Sequence, residues 1–116
     1  MICFDKVKNI YLYASSTDMR MGLHRIQSMV AFHYKPEEIL HSMFIFCSGT
    51  RKTIKIYYED EWGCWLLQNN IAEGKFKWPE IGESVSIDKR QLDWLLKGLD
   101  VIAKLPKPRK EVDYYY

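Results

Sequence analysis

Apolar and polar residues alternate in two different rhythms along the chain. Around Ile10-Tyr11-Leu12-Tyr13 the residues are aromatic and branched enough for a short strand, and Ser15-Ser16-Thr17-Asp18 after it is a cluster of helix-capping side chains. From Met19 the apolar positions Met19, Leu23, Ile26, Val30 and His33 recur at steps of three and four, which predicts a helix that ends before Pro36. Pro36-Glu37-Glu38 can open one further turn through Leu40, because proline and acids both suit a helix N-terminus.

The rhythm then changes to period two. Met43 to Cys47 is a short apolar run with Phe44 and Phe46 on one face, and after Ser48-Gly49-Thr50 the stretch Thr53 to Tyr58 alternates. Ile54, Ile56 and Tyr58 share one side of that strand and Thr53, Lys55 and Tyr57 the other. A further strand is predicted from Cys64 to about Gln68 beyond the Glu59-Asp60-Glu61-Trp62-Gly63 turn, and another over Lys75-Phe76-Lys77-Trp78, stopped by Pro79. A brief Ser84 to Ile87 stretch leads to Asp88, which forms a capping box with Gln91 and starts a second helix. Its stripe Leu92, Leu95, Leu96, Leu99 and Ile102 is the strongest periodic signal in the chain, with Gly98 able to end the helix early. The expected fold is α+β, a mostly antiparallel sheet of four or five strands laid out as a meander with two main helices. Residues 1–103 form a single domain, and residues 104–116, rich in Pro, Lys and Tyr, are an extended tail.

Composition narrows the function classes. With 116 residues, 47% hydrophobic and 15% aromatic, the chain has apolar material for one core and is too short for two ordinary domains. Seventeen Lys and Arg against fifteen acids give +2, too even a balance to identify a partner by itself. The longest apolar stretches are about five residues, against roughly 20 for a bilayer span. The start Met1-Ile2-Cys3-Phe4-Asp5-Lys6 lacks the pattern of a secretory signal, so a cytoplasmic location without a membrane partner is expected. Three cysteines with no C-x-x-C indicate neither a disulfide framework nor a zinc knuckle, and Cys47 and Cys64 read as small buried hydrophobes. His24, His33 and His41 lie far apart without a metal-binding motif; His33 belongs to the core stripe, and His24 and His41 to the surface. No phosphate loop, nucleophile elbow or cofactor motif is present, so no catalytic residue, metal or cofactor is assigned.

Three constellations have both a structural and a functional reading. Arg20 in the first turn of the first helix opposes the macrodipole, which is answered either by a salt bridge to Asp18 or another acid, with Gly22 permitting close helix packing, or by an anion, such as a DNA phosphate, held with the free amides. If both helices cover one face of the sheet, the other presents Thr53, Lys55 and Tyr57 beside Lys75 and Lys77, with Arg51 and Lys52 at the rim. That surface suits a nucleic-acid backbone, and it equally suits a solvated face whose lysines block edge pairing. Trp94 lies about 140° from the leucine stripe, on the side of Val101 and Leu105, so that side is either covered by the fold or a docking surface for another protein. A cryptic two-metal nuclease would need convergent carboxylates, and Asp18, Asp60, Asp88 and Asp93 all have turn or capping roles.

Taken together, three blocks resemble the small accessory protein of IS66-type bacterial insertion sequences, called TnpB or the second open reading frame, distinct from the RNA-guided nuclease of the same name. The blocks are Thr17-Asp18-Met19-Arg20 with Gly22; Met43-Phe44-Ile45-Phe46 followed by Lys55, Tyr58, Asp60, Gly63 and Gly74-Lys75-Phe76-Lys77-Trp78-Pro79; and Gln91-Leu92 with Leu95-Leu96-Lys97-Gly98-Leu99-Asp100. The resemblance spans about residues 9 to 102. It implies a protein required beside a separate transposase for movement of the element, with no enzymatic activity established for it. The implied partners are that transposase and the DNA of the element ends, with self-association left open. The chain departs from the pattern where Cys47-Ser48-Gly49-Thr50 replaces a basic run and Asn69-Asn70 replaces a Lys-Arg pair, which removes possible phosphate contacts. Arg20, Arg51, Lys52, Lys55, Lys75 and Lys77 are the candidate nucleic-acid contacts, and Trp94, Val101 and Leu105 the candidate protein contacts. The alternatives are a protein-interaction module that never touches nucleic acid, and the metal-dependent nuclease.

Overall fold

The unbroken apolar run at residues 43–47 becomes a central strand because both of its faces are covered. The computed structural model describes residues 4–79 and 85–97. In it β1 (Asn9–Ser16), β2 (Ser42–Cys47), β3 (Thr53–Asp60), β4 (Gly63–Asn70) and β5 (Val85–Ile87) form one sheet in the order β4-β3-β2-β1-β5. β2, β3 and β4 make the expected meander, and β5 lies antiparallel to β1. β1 runs parallel to β2, pairing Asn9 with Ser42 through Leu12 with Ile45, so the sheet is mixed with antiparallel pairing dominant. A parallel pair needs a long crossover, and α1 (Leu23–His33) with the single turn α2 (Pro36–Ile39) supplies it. Pro36 stands at the first position of α2, and Glu38 accepts from the Lys35 amide at 2.8 Å.

Strand alternation divides the core in two. Ile10, Leu12, Met43, Ile45, Cys47, Ile54, Ile56 and Tyr58 face one side, where Leu92 and Leu95 of α3 (Lys89–Leu96) cover them with Phe76 and Trp78. Phe44, Phe46 and Tyr57 face the other, beneath Ile26 and Val30 of α1. α3 starts as its sequence predicts: the Asp88 carboxylate accepts from the Gln91 amide at 2.7 Å, and the Gln91 side chain accepts from the Asp88 amide at 2.8 Å. Leu99, Ile102 and Gly98 lie outside the described residues, as do the whole of the predicted tail and Cys3.

Four local expectations are corrected. The first helix begins at Leu23 rather than beside Asp18, because β1 continues through Ser16, paired with Cys47, and the Asp18 carboxylate accepts from the Arg20 amide at 2.9 Å instead of capping a helix. Gly22 is the N-cap, with open space where a Cβ would stand, so it serves no close packing. Residues 75–78 keep their alternation, Phe76 and Trp78 inward and Lys75 and Lys77 outward, but form no strand. Gly74, at φ +76°, turns the chain across the end of the sheet, where side chains anchor it. Finally, His33 is exposed rather than in the core, whereas His41 is largely buried, with Nδ1 3.2 Å from the Tyr58 hydroxyl and Nε2 3.5 Å from Glu61 Oε1.

A candidate nucleic-acid interface at one end of the sheet

Because β1 and β2 are parallel, their C-terminal ends lie together, and the β2–β3 turn and the end of β4 join them. Three connections therefore meet at this end: residues 17–22, residues 48–52 and residues 71–79. Backbone hydrogen bonds hold them in register, from Thr17 N to Cys47 O at 2.8 Å, Ile71 N to Lys52 O at 2.9 Å and Phe76 N to Arg51 O at 2.7 Å. The Ser48 hydroxyl shapes the β2–β3 turn, accepting from the amides of Lys52 at 3.3 Å and Thr53 at 3.2 Å. Arg51 adopts φ +63°, and its guanidinium lies 6.0 Å from the centre of the Trp78 ring, whose indole N–H donates to Tyr13 O at 2.9 Å. The same guanidinium draws the Cys47 thiol pKa down, against burial, which pushes it up more strongly.

Five of the six basic residues singled out in the sequence lie at this end, in different states. Lys52, Lys75 and Lys77 are exposed. Arg51 is half-buried against Trp78. Arg20 has its side chain 91% exposed, but Asp18 grips it, Nη2 to Oδ2 at 2.7 Å and Nε to Oδ1 at 3.0 Å. Those bonds hold the Asp18 carboxyl down to about 2, so the pair is ionised throughout the neutral range. Of the two readings of Arg20, the salt bridge is the one the geometry displays. With the helix starting at Leu23, the arginine no longer opposes a dipole.

Lys55 requires a correction. It is only 8% exposed, and its ammonium donates to Met19 O and Met21 O, both at 2.8 Å. The helices lie on opposite faces of the sheet rather than one, so the face carrying Lys55 and Tyr57 is roofed by α1 instead of open. The sequence held the signal for this: an apolar run without alternation at residues 43–47 belongs to a strand covered on both faces. Lys55 thereby acts as an internal tie that fixes residues 19–21 at the basic end. Tyr57 is fully buried, donates to Glu59 Oε2 at 2.9 Å and has its pKa pushed far up, first by burial and then by that carboxylate.

The other candidates sit elsewhere. Trp94 is half-buried and packs on the core under α3, while Val101 and Leu105 lie outside the described residues. Asp60 is engaged structurally, accepting from the Trp62 amide at 2.8 Å and the Trp65 indole at 3.3 Å. Among the described residues no group of three or more His, Cys, Asp or Glu is placed to hold a metal ion, and no helix is long and apolar enough to cross a membrane. Cys47 is buried and Cys64 half-buried, with its sulfur 3.8 Å from Gln27 Nε2. Two features went unread in the sequence: the absence of any charged side chain over residues 63–70, and Trp62, 85% exposed at the hairpin tip.

The blocks carrying the family resemblance are thus joined in space, residues 17–22 by Lys55 and residues 74–79 by the Trp78 bond to β1. Residues 8–105 match the protein family described as IS66 Orf2 like protein. The chain belongs to the IS66 Orf2-like family. It is an accessory protein of the IS66 type of insertion sequence. No curated protein and no solved structure matches the chain.

Proposed function

We propose that this IS66 Orf2-like protein is a non-catalytic, cytoplasmic component of a transposition complex, holding the DNA of the element ends through its phosphates and presenting it to the transposase. The observation that carries this reading is the gathering of Lys52, Lys75 and Lys77, with Arg51, from two separate segments by the Arg51–Phe76 and Lys52–Ile71 backbone bonds. A cluster of exposed ammonium groups on rigid backbone neutralises phosphates without reading bases. Arg20 adds its outward guanidinium edge from the neighbouring loop, and Lys55 contributes only by positioning that loop. Among the described residues at this end the acids are Asp18, already paired, and Glu73.

The test is a titration of fluorescent duplex DNA carrying the element ends, over a range of salt concentrations, with and without the transposase. Replacing Lys75 and Lys77 together by alanine is expected to flatten the plot of log affinity against log salt by about 0.9 per lost phosphate contact. An unchanged slope removes them from the interface. DNA binding seen only with the transposase present favours instead a protein-interaction module without its own nucleic-acid contact.

A further inference from the structure

β4 is the end strand of the sheet and runs eight residues, Gly-Cys-Trp-Leu-Leu-Gln-Asn-Asn, without a charge or a proline. Exposed edges are ordinarily guarded by lysine, proline or shortness, and β4 has none of these. The Ile71 amide points inward to Lys52 O, so along this antiparallel ladder Gly63, Trp65, Leu67 and Asn69 turn their backbone groups to β3. Cys64, Leu66, Gln68 and Asn70 turn theirs to the open edge. Leu67, at its centre, is 44% exposed.

We propose that β4 pairs antiparallel with β4 of a second copy of this chain, about a two-fold axis through Leu67, joining two five-stranded sheets into one. This register uses every outward backbone group, setting Cys64 opposite Asn70 and Leu66 opposite Gln68, and it buries Leu67 against its counterpart. Registers shifted from it leave outward groups at one end unpaired.

Charge selects the same partner and direction. The hairpin tip of β3 and β4 carries Glu59, Asp60 and Glu61, whereas the opposite end of that hairpin carries Lys52 and Lys75, with Glu73 in the chain between β4 and Lys75. An antiparallel pair lays the acidic tip of each copy beside the basic end of the other, and the uncharged stretch between brings no like charges together. Lys77, next to the Trp78 anchor on β1, lies away from the seam, because β3 and β2 separate β1 from β4.

Sedimentation equilibrium of the full chain is the test. The wild type is expected at twice 13.9 kDa, and Leu67→Lys and Gln68→Pro are each expected at 13.9 kDa. Proline at position 68 removes only an outward N–H, so β3 pairing survives, and near-ultraviolet circular dichroism checks the fold of both variants. Leu67→Cys adds an independent readout. The two-fold places position 67 in a non-hydrogen-bonded pair with Cα atoms about 4.5 Å apart, within disulfide reach, so mild oxidation is expected to give a covalent dimer. A monomeric wild type, or a dimer that survives both Leu67→Lys and Gln68→Pro, overturns the proposal. A chain that is monomeric alone and gains mass only with the transposase assigns the edge to that protein and equally overturns it.

Discussion

Beneath α3 the sheet offers Leu12, Met43, Ile45, Ile54 and Ile56, whereas beneath α1 it offers Phe44, Phe46, Tyr57 and the aliphatic stem of Lys55. The first set stabilises by area and dispersion, which have no direction. The second adds bonds with fixed geometry, from Lys55 to the carbonyls of Met19 and Met21 and from Tyr57 to Glu59. One side therefore holds the sheet together, and the other holds a loop at a defined place on the basic end. Substitutions on the two sides should fail differently, the α3 side in global stability and the α1 side in loop position.

The largest effect is expected from Ile45→Ala. Ile45 is completely buried in the central strand, and deleting its branches leaves a cavity that neighbouring strands cannot close. Urea unfolding should show a loss of about 3 kcal/mol, while amide exchange at residues 18–22 under native conditions stays as it was. Lys55→Met comes next. Methionine fills the stem's space but cannot donate, leaving two carbonyls without their charged partner, which should cost about 2 kcal/mol. Its distinguishing mark is faster amide exchange at residues 18–22, and a variant with unchanged exchange there would show that the tie does not position the loop.

Tyr57→Phe should cost about 1 kcal/mol, the worth of an ordinary buried hydrogen bond. It also carries a pH signature. Burial and Glu59 raise the Tyr57 pKa above its ordinary 10.0, so the folded state holds this proton more tightly than the unfolded chain. The stabilisation is complete below pH 10 and declines as the pH rises above it. Thermal unfolding followed from pH 9 upward should fall more steeply for the wild type than for Tyr57→Phe; parallel curves would mean the hydroxyl is not shielded. About pH 9 the gap between the two proteins should be widest.

How much of this was legible in the sequence depends on whether a signal was local. The Asp88–Gln91 capping box, the Pro36 turn and the alternation of residues 53–58 concern neighbours a few positions apart, and each stands where its pattern placed it. The start of α1 was misplaced because Asp18 had two local uses, capping a helix or folding back on Arg20, and the pairing of Ser16 with Cys47 chose between them. Lys55 was misread for a similar reason. Which face of β3 is roofed is decided by the parallel β1–β2 crossover, and no spacing within residues 53–58 encodes it. Of the basic candidates, the exposure of Lys75 and Lys77 followed from alternation alone, but their approach to Arg51 and Lys52 required the turn at Gly74 and the Trp78 anchor.

The smallest expected effect lies on the outer side of the same loop, where Asp18 and Arg20 grip each other in full contact with water. Hydrogen bonds from the Arg20 side chain and amide lower the Asp18 pKa from 3.8 to about 2. A depressed carboxyl contributes stability that is fully present above the unfolded value and lost as pH falls through the folded one. The contribution should therefore hold down to about pH 4 and vanish toward pH 2. Solvent screening keeps it slight, so the readout is a difference: the unfolding midpoint of the wild type minus that of Asp18→Asn, measured at successive pH values. That difference should shrink across this interval, because asparagine still accepts the Arg20 amide but does not titrate. A constant difference would mean that the loop owes its shape to the internal Lys55 tie alone, and that the arginine side chain is free to swing toward a phosphate without first releasing a carboxylate.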